Sequence, residues 1–142
     1  MCGIVGYIGT NKAVPVLLNG LKNLEYRGYD SSGIALKDGD NIQIIRSVGK
    51  ISSLEDKVNS EDLINSFMGI AHTRWATHGI PSEENAHPHR VGKVILVHNG
   101  IIENAAELKE ELLKDGVSFN SETDTEVATA VINHIVWRTI RI

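Results

Sequence analysis

The chain has 142 residues, a length that suits one domain, and its 42% of hydrophobic residues is enough to build a core. A formal net charge of −4 without any Lys/Arg run argues against nucleic acid or an anionic membrane as the main partner. The single cysteine excludes an intrachain disulfide, and there is neither a leader segment nor an apolar run near the ~18 residues of a membrane span. A small-molecule substrate and a cytoplasmic location are therefore expected.

The cysteine, Cys2, directly follows Met1. A residue this small permits removal of Met1, which would leave a thiol and a free α-amino group on one residue. Thiols attack as thiolates with a free pKa of about 8.5, and an α-amino group with a pKa of about 7.7 to 8.0 is partly unprotonated at neutral pH. That amine is a suitable base for a thiol nucleophile. Position alone leaves open the alternative that Cys2 is a small buried hydrophobe.

The first half of the chain predicts a strand, a helix, a hairpin of two strands and a second helix. Gly3–Ile8 is rich in β-favouring residues, and apolar residues at three- and four-residue steps predict a helix over 13–24. Segments 33–36 and 42–46 read as strands joined by a turn at Asp38-Gly39-Asp40. A helix is expected over 53–67, weakened by Asn59 and Ser60.

In the second half, strands are expected over 69–75 and 91–98, separated by a polar loop over 77–90 of a length that is usually functional. Asn104 is a plausible N-cap for a helix through Lys114 that ends at Gly116. Its inward side chains are expected to be Leu108, Leu112 and Leu113. Segment 123–126 has capping-box spacing and predicts a helix whose apolar residues are Val127, Val131, Ile132 and Ile135. Mixed strands and helices indicate an α+β fold.

Five of the six histidines fall in one 27-residue window, His72, His78, His87, His89 and His98. A metal site is disfavoured because there is no helical His-x-x-x-His pair and the cysteine is distant in sequence. A Cys–His pair, with Cys2 activated by one of these histidines, is a second possibility. A hydrogen-bonded structural role is the third, and no metal is expected.

Three further features suggest a binding site for a small polar molecule. Asn99 and Gly100 end a predicted strand and offer an amide and a close backbone approach for an oxyanion, although a simple Asn-Gly turn explains them too. Arg74 beside Trp75 offers a fork for a carboxylate, or a surface salt bridge beside a core aromatic. Asp124 is either a ligand for an ammonium group or a first-turn charge favoured by the helix dipole.

Six segments of the chain carry a joint signal. In order, they are MCGIVG at 1–6, LEYRGYDSSG at 24–33, HTRWATHG at 72–79, NAHPH at 85–89, VHNGIIEN at 97–104 and SETDTE at 121–126. Taken together, they resemble the class II glutamine amidotransferases, which are N-terminal nucleophile hydrolases. Tyr26-Arg27-Gly28-Tyr29 and Arg74-Trp75 resemble the glutamine:fructose-6-phosphate aminotransferase branch more than the amidophosphoribosyltransferase branch, which stays an alternative.

The resemblance implies that Cys2 attacks the side-chain amide of L-glutamine, releases ammonia and leaves a glutamyl thioester that water hydrolyses. The α-amino group of Cys2 is the implied base. Arg74 is implied to bind the α-carboxylate of the substrate and Asp124 its α-ammonium group. Asn99 and Gly100 are implied to bind the oxyanion, and Thr77 and His78 to make further substrate contacts. Trp75 is implied to gate the exit of ammonia, and His87 to support the site.

The implied fold is a four-layer αββα sandwich. The implied reaction needs no cofactor. Residues 1–142 would form a partial glutaminase domain, since family domains continue with further strands of the second sheet. The isomerase domains that bind fructose 6-phosphate would be absent. An inactive remnant or a binding domain is therefore the rival to an active glutaminase, and the oligomeric state stays open.

Overall fold

A computed structural model describes residues 2–76 and 79–140 of the chain. The elements in these ranges are β1 Gly3–Ile8, α1 Ala13–Asn23, a 3₁₀ turn at Glu25–Arg27, β2 Ser31–Asp38, β3 Asn41–Val48, α2 Ile51–Ser60, β4 Met68–Arg74, β5 His89–Val91, β6 Val94–Leu96, α3 Ala105–Lys114 and α4 Asp124–Ile140.

Strands β1 to β4 form an antiparallel sheet in the order β1-β4-β2-β3. The central strand β4 pairs with β1 in a register that places Gly3 opposite Thr73. Because these strands are antiparallel, the beginning of β1 lies beside the end of β4. This register brings Cys2 next to Arg74 and Trp75, although more than 70 residues separate them along the chain.

Helices α1 and α2 cover one face of this sheet and supply most of its apolar core. Leu17 and Leu21 of α1 are fully buried, as the leucine spacing predicts, and Leu54 of α2 is buried beside them. They pack against Ile34 and Leu36 of β2. Burial of each such side chain contributes roughly 1.5 to 3 kcal/mol to folding.

The other face of the sheet meets a smaller layer, the antiparallel pair β5-β6, which is covered in turn by α3 and α4. The imidazole of His72 on β4 stacks on that of His87, just before β5, with ring centroids 4.1 Å apart. The layers are therefore helices, sheet, sheet and helices, which agrees with the predicted four-layer α+β sandwich.

Two predicted elements differ from the structure. The strand expected over 91–98 is a short hairpin, because Gly92 has a φ of 58° and reverses the chain between β5 and β6. The helix expected over 53–67 ends at Ser60, where Glu61 is extended with φ −99° and ψ 150°. Beyond it, Ser66 accepts hydrogen bonds from the N–H groups of Lys37 and Met68, which guides the chain into β4.

Helix α3 has the expected bounds, but one of its three leucines faces away from the core. Leu112 is buried, whereas Leu113 is 52% exposed, because consecutive residues of a helix point about 100° apart. Gly116, with φ 83°, ends the helix as predicted: its N–H donates to Leu113 O and that of Val117 to Leu112 O.

In α4, Val127 is buried, but Ile132 and Ile135, predicted to lie along the same face, are exposed.

No helix in the described ranges is long and apolar enough to cross a membrane.

Candidate active site

Cys2 lies immediately before β1 and is only partly buried. The N–H of Gly3 donates to Thr73 Oγ1 at 2.9 Å, which ties the start of the chain to β4. A Cβ on residue 3 would lie 2.7 Å from Leu24 Cδ1, so only glycine permits this close approach. The N–H of Trp75 donates to Cys2 Sγ at 3.2 Å.

A cavity of about 240 Å³ opens beside the Cys2 sulfur. Seven of the nine site residues predicted from the sequence line it, and the other two, Thr77 and His78, lie outside the described residues. The full lining is Cys2, Arg74, Trp75, His87, His98, Asn99, Gly100, Ile101, Thr123, Asp124 and Thr125. Residues from both halves of the chain therefore meet in one cleft.

Arg74, the last residue of β4, brings a cation to the cavity. It is 4% exposed, and its guanidinium donates to the carbonyl oxygens of Gly79 at 3.3 Å and Ile80 at 3.4 Å. Asp30 holds the backbone around it, since its N–H donates to Arg74 O at 2.8 Å and its carboxylate accepts the N–H of Ala76. A guanidinium fixed in this way suits a carboxylate ligand, which it binds with two parallel hydrogen bonds.

Asp124, the first residue of α4, brings an anion to the same cavity. Its Oδ2 accepts the N–H of Ile102 at 2.8 Å, and its Oδ1 accepts the hydroxyl of Thr125 at 3.4 Å. These bonds leave further lone pairs on both oxygens. The carboxylate therefore retains capacity to accept hydrogen bonds from a ligand ammonium group.

A buried polar cluster fixes the beginning of α4 and with it Asp124. Thr123 Oγ1 accepts the N–H of Glu126 at 3.3 Å, as capping-box spacing predicts. The Glu126 carboxylate does not return to the Thr123 N–H. It accepts from the N–H groups of Asn120 and Ser121 and from the Ser121 hydroxyl, at 2.6 to 3.2 Å, and so draws in the loop before the helix.

Asn99 and Gly100 follow β6 and approach Cys2 from the second half of the molecule. Asn99 Nδ2 donates to Cys2 O at 3.4 Å, which places the amide beside the predicted nucleophile. A Cβ on residue 100 would lie 2.9 Å from Nε2 of His98, so the imidazole covers the site where a side chain would project. Glycine at 100 thus leaves room for the His98 ring at the cavity wall.

Three of the histidines that are clustered in sequence, His72, His87 and His89, also cluster in space, between the two sheets. His72 and His87 stack at 4.1 Å with an interplanar angle of 13°, and His89 meets the edge of His87 at 4.8 Å. Burial lowers the pKa of His72 to about 4 and that of His89 to about 3, and it also lowers the pKa of His87. These three imidazoles are neutral near pH 7.

The described histidines have contacts that suit a structural role. His72, His87 and His89 are buried, and their ring nitrogens lie within hydrogen-bond distance of His98 O, the His98 N–H and Thr123 Oγ1. Among the described residues, no three His, Cys, Asp or Glu side chains are arranged to hold a metal ion. In the same ranges, the hydrogen bonds of Cys2 Sγ go to the backbone of Trp75, so a Cys–His pair is not formed there.

The sequence predicted Thr123 only as a helix cap, His72 only as one of five histidines with shared alternatives, and nothing for Thr125. A signal for His72 was available, because residues two apart on a strand share a face, and His72 stands two residues before Arg74. Thr123 and Thr125 line the cavity from either side of Asp124, and Thr123 Oγ1 is 3.0 Å from His89 Nε2. That pairing joins two distant segments and has no local signature.

Comparisons with known proteins agree on one family. Residues 72–141 match the family described as "Glutamine amidotransferase domain". Two curated relatives are named glutamine–fructose-6-phosphate aminotransferase (isomerizing): that of Pyrococcus horikoshii is 56% identical over 100% of this chain, and that of Thermococcus kodakarensis 54% over 93%. The chain spans 23% and 22% of their respective lengths.

A solved structure also resembles the chain. The glutamine phosphoribosylpyrophosphate amidotransferase of B. subtilis, complexed with ADP and GMP, matches with a TM-score of 0.77 and 29% identity. The match covers 94% of this chain and 29% of that one.

Proposed function

Because this chain belongs to the glutamine amidotransferase family, we propose that it hydrolyses the side-chain amide of L-glutamine with Cys2 as the nucleophile. The products are glutamate and ammonia. Thr77 and His78, which lie outside the described residues, keep their predicted role as further substrate contacts, and Trp75 keeps its predicted role as the gate for ammonia.

The observation that carries this proposal is the charge arrangement of the cavity. Arg74 and Asp124 line it together with the Cys2 sulfur. A free α-amino acid has one carboxylate and one ammonium group, and these match a buried guanidinium and a carboxylate. Holding both groups leaves the neutral amide end of glutamine to reach the sulfur, and such positioning is worth roughly 7 to 11 kcal/mol of barrier in well-oriented reactions.

One group positions the sulfur and another activates it. The N–H of Trp75 donates to Sγ at 3.2 Å and holds the sulfur in place. The α-amino group of Cys2 takes the thiol proton, which requires that Met1 be removed. The amine and the sulfur belong to one residue, so no separate base is needed.

The bonds change in two stages. Sγ forms a bond to the amide carbon of glutamine, and the carbonyl oxygen gains the negative charge, which Asn99 Nδ2 and the Gly100 N–H stabilise. The protonated α-amino group then gives its proton to the leaving nitrogen, the C–N bond breaks, and ammonia departs from a thioester. Water, deprotonated by the same amine, attacks this thioester and releases glutamate with the regenerated thiol.

The acceptor of the ammonia is a separate part of the proposal. The relatives at 54 to 56% identity carry fructose 6-phosphate in their names, whereas the phosphoribosylpyrophosphate enzyme is 29% identical. We therefore assign the ammonia to fructose 6-phosphate and aminosugar synthesis. Because the matched region is under a quarter of those relatives, the 142-residue chain alone, given glutamine and fructose 6-phosphate, is expected to release ammonia without forming an amino sugar.

The direct test is ammonia release from L-glutamine by the purified chain, with mass spectrometry of the same sample to establish whether Met1 is present. Activity is expected only in the form that starts at Cys2, and Cys2→Ala is expected to remove it while leaving the melting temperature unchanged. Full activity with Met1 retained would contradict the α-amino base. A Cys2-initiated, folded chain without activity would contradict the proposed function.

The substrate contacts are tested by conservative variants. Arg74→Lys keeps the charge but loses the two-pronged fork, and Asp124→Asn keeps the shape but loses the charge, so both are expected to lower kcat/KM for glutamine. Asn99→Ala is expected to lower kcat by about 10² to 10³, the usual cost of removing one oxyanion donor. Losses that merely follow the melting temperature would contradict these assignments.

A further inference from the structure

The backbone of His98 is held from both sides by the two stacked imidazoles. Nε2 of His72 lies 2.9 Å from the carbonyl oxygen of His98, and Nδ1 of His87 lies 3.3 Å from its backbone nitrogen. We propose that His72, together with His87, is a positioning residue that sets the backbone from which Asn99 and Gly100 meet the oxyanion. This inference rests on the proposed glutamine hydrolysis and goes beyond it by naming what aligns the oxyanion donors.

The chemistry of the two contacts determines where the protons are. A carbonyl oxygen can only accept, so His72 donates through Nε2–H, and its Nδ1 then carries a lone pair. Consistent with this, Nδ1 of His72 is buried and has no hydrogen-bond partner in the described part of the chain. The N–H of His98 can only donate, so Nδ1 of His87 accepts and its proton sits on Nε2.

The contact at His87 requires a neutral imidazole, because protonation at Nδ1 would place two N–H groups head to head against His98. His72 can donate through Nε2–H in either protonation state, and this hydrogen bond by itself raises its pKa. Arg74, His89 and His98 favour the neutral state of His87. Burial acts in the same direction and lowers the pKa of both His72 and His87.

The contacts of His72 and His87 with the His98 backbone together form a clamp. This clamp acts on the residue directly before Asn99 and Gly100, the proposed oxyanion donors. Fixing the His98 carbonyl fixes the plane of the His98–Asn99 peptide, because peptide groups are planar. The His98 ring is held as well, by a contact of 3.3 Å between its Nδ1 and Thr125 Oγ1, and it lies against Gly100. A displacement of about 1 Å at a reacting group can cost about 10²-fold in rate, so loss of this clamp is expected to reach kcat.

The test compares two substitutions at one position. His72→Gln keeps an N–H donor near the position of Nε2, whereas His72→Leu removes it at similar volume. His72→Leu is expected to lower kcat for glutamine by about 10²-fold with KM changed by less than about threefold, and His72→Gln to retain most of the activity. Equal losses in the two variants, or a loss in KM alone, would overturn the positioning role.

A double variant separates positioning from a general structural effect. If His72 acts through Asn99 and Gly100, then adding His72→Leu to Asn99→Ala should cost clearly less than the about 10²-fold expected for His72→Leu alone, because one of the two donors it aligns is already gone. Losses that multiply would overturn the proposal. Alkylation of Cys2 by iodoacetamide needs no oxyanion donor, so it is expected to proceed at the wild-type rate in His72→Leu. A slower rate would mean that the substitution affects the nucleophile itself and would contradict the positioning role.

A measurement on the unsubstituted chain covers the case in which the leucine variant does not fold. Nitrogen-15 NMR of the imidazoles reports which ring nitrogen carries the proton, and His72 is expected to be protonated at Nε2 and His87 at Nε2, both neutral, at pH 7. The opposite tautomer at either residue would overturn the clamp. This measurement needs no activity, so an inactive but Cys2-initiated chain with the expected tautomers would contradict the proposed function and leave the geometry of the clamp intact.

Discussion

The two halves of the molecule are stabilised in different ways. The first, built from β1 to β4 with α1 and α2, has strands of six to eight residues and an apolar core that includes Leu17, Leu21 and Leu54. In the second, the described strands have three residues each, and the buried apolar cluster of the described residues consists of Leu112, Val127 and Ala130. Polar groups occupy much of the remaining interior there, including Thr123, Thr125, Glu126 and Thr129.

The difference matters because the candidate site draws on both halves. Cys2 and Arg74 come from the sheet with the large core, which holds them by strand register. Asn99, Gly100 and Asp124 come from the half held by hydrogen bonds. Hydrogen bonds demand particular geometry, whereas apolar burial does not. The second half is therefore expected to be the more sensitive to changes of charge and the first to changes of volume.

Acidification should produce the largest effect, because the buried histidines lie where the halves meet. Their folded pKa values are below the ordinary 6.5, so the unfolded chain binds more protons below that pH. Stability is complete above about pH 6.5 and is lost as the pH falls toward 4. At pH 5, His72 and His89 together should cost about 4 kcal/mol relative to pH 7, and His87 acts in the same direction.

Thermal melts between pH 7.5 and 4.5 check this prediction. His89→Gln removes one titrating group and should reduce the slope of stability against pH. A melting temperature that is constant over this range would contradict the neutral, buried histidines.

A pair of truncations measures the contrast between the two cores directly. Leu21→Ala, at a fully buried site in the large cluster, should lower the free energy of unfolding by about 3 to 4 kcal/mol, and Leu112→Ala, at a 5% exposed site in the small cluster, by about 2 kcal/mol. Urea unfolding of both variants gives the two values. A cost at Leu112 equal to or above that at Leu21 would show that the second half depends on apolar packing after all.

Removing a single charge should weaken the polar half. Glu126→Gln keeps the shape of the side chain but replaces one carboxylate oxygen, which accepts hydrogen bonds from Ser121, by an N–H₂ group that cannot accept them. The free energy of unfolding is expected to fall by about 1 to 3 kcal/mol. Glu110→Gln, on an exposed face of α3, is the matched control and should change stability little. Because Glu126 fixes the loop before Asp124, KM for glutamine should rise in Glu126→Gln alone; equal effects of the two substitutions would refute this role.

The smallest effect is expected at a surface ion pair of the first half. Lys22 of α1 contacts Glu55 of α2 at 2.6 Å, with side chains 46% and 28% exposed. Exposed pairs of this kind contribute roughly 0 to 1 kcal/mol, so Lys22→Ala should stay within that range. A larger loss of unfolding free energy, measured in the same urea series, would mean that charged side chains stabilise the first half as they do the second.

Local features of the chain were predicted well from sequence. β1 has the expected bounds, α1 ends one residue early, and Gly39, with φ 57°, turns the hairpin between β2 and β3 as the Asp-Gly pattern indicates. The seven described site residues that the resemblance implied do line one cavity, while their individual roles stay predictions. Periodicity, turn chemistry and capping act over a few residues, so they can be read without knowing the rest of the fold.

Tertiary structure decided what depends on distant contacts. The hydrogen bond from Trp75 to Cys2 follows from the pairing of β1 with β4, and the end of α2 at Ser60 follows from the path that residues 61–67 take into β4. The histidine cluster is the clearest case: the spacing in sequence was compatible with a metal, a Cys–His pair or a structural role. The structure shows His72 buried, with Nε2 2.9 Å from the His98 carbonyl oxygen, and no local pattern predicts this contact because the acceptor lies 26 residues further along the chain.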